Sequence, residues 1–209
     1  MDEGQALLRT IRAIAAGERD AVTEALAASP ALATLQLTQR AMTGPSVNYF
    51  VSECSLQLYA GDTALHVAAA CYAVDIARRL IALGADLRAR NRRGAEPIHA
   101  ATTGNPDSPN WDPERQAAMI TLLLAEGSDP NALAAGGVTP LHRAVRNRCS
   151  SAVAALLDGG ADPSRVNDSG STPLMLAGWT TGRGGSGSAA AKREQAKIVR
   201  LLEAATTEP

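Results

Sequence analysis

Histidine and cysteine, three of each, are the side chains in this 209-residue sequence best suited to metal binding or nucleophilic catalysis. His66, His99 and His142 stand 33 and 43 residues apart, and Cys54, Cys71 and Cys149 stand 17 and 78 apart. A zinc site needs spacings such as Cys-x-x-Cys or His-x-x-x-His, and no such pair occurs. A cysteine nucleophile would need an uncommitted imidazole beside Cys71 or Cys149. Tyr59 and Asp62 could exchange protons with a substrate, but no general base stands in a recognisable setting. Gly182 to Ser188, with Arg183 inside it, has the composition of a phosphate cradle. It lacks the Gly-Lys-Ser/Thr ending of a Walker loop, so a flexible linker is favoured, with an anion site on its backbone N–H groups and Arg183 as the alternative. Arginine supplies the remaining chemistry. Arg78, Arg79, Arg88, Arg90, Arg92 and Arg93 face only Asp86 in their segment, a local +5 in a chain of net charge -1. Arg143, Arg146 and Arg148 form a second cluster, and guanidinium forks suit carboxylates and phosphates.

The elements that must hold these groups repeat along the chain. Gly61-Asp62-Thr63-Ala64-Leu65-His66 returns as Gly94-Ala95-Glu96-Pro97-Ile98-His99, as Gly137-Val138-Thr139-Pro140-Leu141-His142, and as Gly170-Ser171-Thr172-Pro173-Leu174-Met175. The period is 33 residues with one ten-residue insertion. Each unit closes on a similar turn, as in Gly84-Ala85-Asp86 and Gly160-Ala161-Asp162-Pro163. Thr139 predicts a helix N-cap, and Pro140 occupies the first helical position, where a missing N–H costs nothing. Val153, Leu156 and Leu157 give a second helix its apolar face. Gly160 predicts a left-handed helix end.

This pattern resembles the ankyrin repeat family. The resemblance implies an all-α solenoid of helix-turn-helix units with β-hairpin fingers, about four full repeats covering 61–93, 94–136, 137–169 and 170–205. Residues 1–60 are expected to form a degenerate N-terminal capping unit. Within it, Gly17 splits two short helices and residues 34–58 make an irregular excursion. The whole is expected to be one domain, closed by a C-terminal helix with a charged outer face. In the family the histidines hydrogen-bond the turn, so no catalytic, metal or cofactor role falls to them. Insertions at 105–114, around Trp111, and from 182 to about 190 read as surface loops or, alternatively, as binding arms with Trp111 and Arg183 as contacts.

The family's concave surface is made from finger tips and first helices. Carried over by register, it draws on Tyr59, Asp62, Arg92, Arg93, Arg146, Asn147 and Trp179. An arginine-rich middle flanked by aromatics predicts a protein-interaction module for an acidic or carboxylate-bearing partner. The rival is an enzyme or small-molecule binder using the groove and insertions as a pocket, with a small anionic ligand possible. Near-neutral charge argues against a polybasic nucleic-acid binder. No apolar run reaches the ~20 residues that span a bilayer. An opening of Met1-Asp2-Glu3 and an odd cysteine count predict a reducing, cytoplasmic setting.

Overall fold

A computed structural model describes residues 3–39, 42, 49–179 and 187–207. They fall into two compact units, residues 1–101 and 102–209. Arg183 and most of the glycine-rich insertion lie outside the described residues, as does most of the middle of the 34–58 excursion.

The first unit begins with α1 (Glu3–Ala16) and α2 (Arg19–Ala28). Leu7, Ile11 and Ile14 recur at helical spacing and are at most 1% exposed, which fixes the inner face of α1. This face packs on α2 and on α3 (Ala64–Ala70). After a 3-10 turn at Pro30–Ala33, the excursion is tied down at both ends. Leu37 N–H donates to the Asp62 carbonyl and receives Gly61 N–H in return, and Gln36 bridges Thr63. Further on, β1 (Phe50–Val51) pairs antiparallel with β2 (Leu56–Gln57), between the buried Tyr49 and Leu58. Residues 36–37 therefore act as the strand partner of the first finger, a role their sequence does not announce.

Every residue of α3 is buried, and its start explains the recurring Thr and His. Thr63 Oγ1 accepts His66 N–H while His66 Nδ1 accepts Thr63 N–H, at 3.3 and 3.2 Å. With Nδ1 accepting, Nε2 carries the proton and donates to the Ala95 carbonyl of the next finger, 3.0 Å away. The imidazole is thus both a cap and a strut between successive repeats. Behind it, α4 (Val74–Ala82) buries Ile76, Ala77 and Leu80, and α5 (Pro97–Ala101) packs on α3.

The second unit holds α6 (Pro113–Ala125), α7 (Pro140–Arg146), α8 (Ser150–Asp158), α9 (Pro173–Ala177) and α10 (Ala189–Thr207). Thr139 and His142 repeat the reciprocal cap, and His142 Nε2 reaches the Ser171 carbonyl at 3.1 Å. Burial lowers the His142 pKa from its ordinary 6.5, against the raising effect of the Ser171 carbonyl. Gly160, at φ +86°, ends α8 as its sequence implies.

The outer face of α10 has one exception to its expected charge. Glu194 is buried, and its carboxylate accepts Ser150 N–H and Oγ–H, capping α8 from another helix. Burial raises its pKa, but hydrogen bonds from Lys197 and Ser150 outweigh that and hold it below the usual value. Among the described residues, no helix is long and apolar enough to cross a membrane.

Candidate interaction surface

In the first unit the site is a finger tip supported from below. Asn91, Arg92, Arg93 and Gly94 form a β-turn in which Gly94 N–H donates to the Asn91 carbonyl at 2.7 Å. The Asn91 side chain locks it, its Oδ1 accepting Arg93 N–H at 2.9 Å and Ala95 N–H at 3.1 Å. Arg92 N–H ties the turn to the preceding finger through the Ala60 carbonyl, 2.7 Å away. The two fingers approach so closely that a Cβ at Gly61 would lie 2.6 Å from the Arg90 carbonyl oxygen and the Asn91 Cα.

Asp62 sits beneath this turn and is 2% exposed. One carboxylate oxygen accepts Tyr59 N–H at 2.6 Å and the other accepts Asn91 Nδ2–H at 2.8 Å. Register placed Asp62 on the contact surface. The structure corrects this, because the following finger covers its carboxylate and the residue supports the surface from within. Above it, the Arg92 and Arg93 guanidinium carbons lie 4.9 and 5.8 Å from the centroid of the Tyr59 ring. Both arginines are exposed, and the ring holds them by cation–π attraction.

The basic run from 78 to 93 is therefore not uniform. Arg90 is neutralised by the buried Glu96, 3.1 Å away, and Arg79 donates to Thr23. Among the described residues, neither Arg92 nor Arg93 has a carboxylate within salt-bridge reach.

The second unit holds the other candidates. Arg146 is exposed in the last turn of α7. The neighbouring Asn147 amide is engaged, Nδ2 donating to the Thr102 carbonyl at 2.8 Å. Trp179 is 53% exposed, and Met175, one helical turn earlier, is 54% exposed. Arg148 does not belong with the surface charges. It is 2% exposed, and its guanidinium donates to the Ala177 and Trp179 carbonyls, clamping the end of α9. Burial lowers its pKa. Trp111 folds back on α6, its ring N–H donating to the buried Gln116 at 2.9 Å.

Sequence reasoning passed over Asn91. The available signal was Asn-x-x-Gly, present at 91–94 and again at 167–170, where Asn167 Oδ1 accepts Ser169 and Ser171 N–H.

A separate cleft of about 750 Å³ opens in the cap, between the alanines of α1 and α2 and the segment Tyr49–Ser52. None of the residues lining it was a sequence candidate. Among the described residues, no group of three or more His, Cys, Asp or Glu side chains could hold a metal ion.

Comparison with known families finds ankyrin repeats in the chain. A model of the ankyrin repeat matches residues 60–92, and a model described as ankyrin repeats in three copies matches residues 114–184.

Proposed function

The chain belongs to the ankyrin repeat family, an all-α repeat-solenoid class, and from that premise we propose that it binds an acidic or carboxylate-bearing protein surface through its arginine-tipped finger. Ankyrin repeats generally mediate protein–protein interaction. Fold alone does not choose a partner, so its chemistry has to come from particular side chains. The observation that carries the reading is the pair Arg92 and Arg93, exposed, held over Tyr59 and lacking a carboxylate among the described residues. Cationic groups fixed before binding steer an acidic partner and lose little side-chain freedom when it docks. Arg146 and Trp179 are exposed in the second unit and serve as further contacts in this reading. The three free cysteines suit a reducing, cytoplasmic setting.

The test is charge reversal. Affinity capture with the unaltered chain should recover a partner, and Arg92→Glu with Arg93→Glu should weaken that partner's binding at least tenfold while the melting temperature holds. Reversal at Arg78, exposed on α4 and outside the finger, is the control. Equal loss from both sites would show a diffuse charge effect, and no loss from the finger pair would remove this surface from the account.

A second reading, small-molecule binding, is favoured by the cap cleft, whose volume of about 750 Å³ falls within the usual range for ligand sites. A thermal-shift screen tests it, since a ligand bound only by the folded chain raises the melting temperature.

A further inference from the structure

Building on the finger as the partner-binding surface, we infer that its tip is a clasp for one doubly charged anionic group, and that Asp62 is the residue that positions the clasp. The internal control is the finger at 167–171. Its turn has the same four bonds, with Gly170 N–H on the Asn167 carbonyl, Asn167 N–H on Ser171, and Oδ1 on both Ser169 and Ser171 N–H. At the position matching Asp62 that finger has Val138, and at the position matching Tyr59 it has Ala135. The turn therefore forms without a buried carboxylate beneath it. A carboxylate 2% exposed is costly to bury, so its presence under the arginine-tipped finger calls for a task beyond making the turn. Its two oxygens show the task. One fixes the backbone of Tyr59; the other fixes the amide of Asn91 and lies 3.8 Å from His66 Nε2, so the aromatic ring, the arginine turn and the histidine strut are held to one support.

What this support presents is two guanidinium groups over one ring. A singly charged ligand leaves half of that pair unmatched, whereas a dianion matches both and can take a fork from each. Arg90, two residues before the tip, is already neutralised by Glu96. Two sources share the required chemistry: a phosphate monoester on a protein side chain, and two adjacent carboxylates.

The experiment follows the side-chain Nε–H signals of Arg92 and Arg93 in the isotope-labelled full chain. The probes are inorganic phosphate, a short phosphoserine peptide, its Glu-Glu counterpart and a single-Glu peptide. The clasp predicts shifts at both arginines, with a doubly charged peptide bound at least tenfold more tightly than the single-Glu peptide. Because the second phosphate pKa is about 6, lowering the pH from 7.5 to 5.5 should weaken the phosphoserine peptide severalfold and leave the Glu-Glu peptide nearly unchanged, which separates the two sources. Asp62→Asn sets two donors against each other and should weaken binding. Adding Asn91→Asp reverses the bond and should restore it, a rescue that a merely space-filling residue would not allow. Absence of shifts at Arg92 and Arg93 with every probe, equal affinity for the single-Glu peptide, an Asp62→Asn chain that binds like the original, or a folded double variant that fails to recover binding would each overturn the clasp. If the clasp falls while Arg92→Glu/Arg93→Glu still abolishes partner capture, the proposed function stands without it.

Discussion

Two fingers of this protein make one turn and present opposite chemistry. At 91–95 the tip is Arg92-Arg93, and at 167–171 it is Asp168-Ser169. In each, an asparagine at the start and a left-handed glycine at the end, Gly94 at φ +66° and Gly170 at φ +75°, set the backbone. Each second residue also donates its N–H to the preceding finger, Arg92 to Ala60 and Asp168 to Gly136. The tip side chains do none of this work. The fold leaves them open. Of the two, only the finger at 91–95 adds a buried carboxylate and an aromatic platform, and only there are two like charges held together.

Breaking the shared scaffold should produce the largest effects. Gly61→Ala places a methyl group against the backbone of the next finger at a φ of +90°, so stability should fall by about 3 kcal/mol or more in a denaturant titration. Gly160, at φ +86° with open space where its Cβ would go, is the control; its alanine variant should cost about 1 kcal/mol. Similar losses at the two glycines would mean that finger-to-finger packing is looser than described.

The histidine strut comes next. His142→Ala removes the acceptor of Thr139 N–H and the bond to Ser171, a loss of about 2 kcal/mol. Burial lowers the folded pKa of His142 below 6.5, so the unfolded chain binds the proton more readily. Its stabilising contribution should be intact above pH 6.5 and decline as the pH falls from there towards the folded-state value. Stability measured at pH 7.5 and 5.5 should therefore differ less in the variant.

Sharpening the comparison needs smaller changes. Asn91→Ala and Asn167→Ala each lose two side-chain acceptances, which should cost about 1–2 kcal/mol, and Asn91→Ala should cost more because it also takes a donor from the buried Asp62 carboxylate. Only the first should also weaken binding of the acidic partner. Arg92→Glu with Arg93→Glu should change stability by no more than about 0.5 kcal/mol, since neither side chain is buried.

Much of the scaffold was legible because its determinants are local. Thr139, Pro140 and His142 lie within four residues and specify a cap by themselves, and Gly160 marks a helix end by its position after Leu156-Leu157. What escaped depends on contacts between repeats. Asp62 looked like a surface acid because the asparagine that covers it lies 29 residues further on. Arg148 counted as a surface charge, but it sits in a left-handed turn at φ +61° that turns its side chain inward to carbonyls 29 and 31 residues away. Asn91 was overlooked because its amide is useful only once the turn exists. The arginines at 92 and 93 stand out by charge and repeat register, while their seat on Tyr59 required the fold.

The most direct test exchanges the two tips. Arg92-Arg93 would become Asp-Ser and Asp168-Ser169 would become Arg-Arg, with stability and affinity for the captured partner measured on the single and double exchanges. The account predicts that every variant folds, that loss of the native arginine tip weakens binding at least tenfold, and that the transplanted tip fails to recover it, because Ala135 and Val138 stand where Tyr59 and Asp62 would be needed. Full recovery by the transplanted tip, or full affinity without the native one, would contradict it.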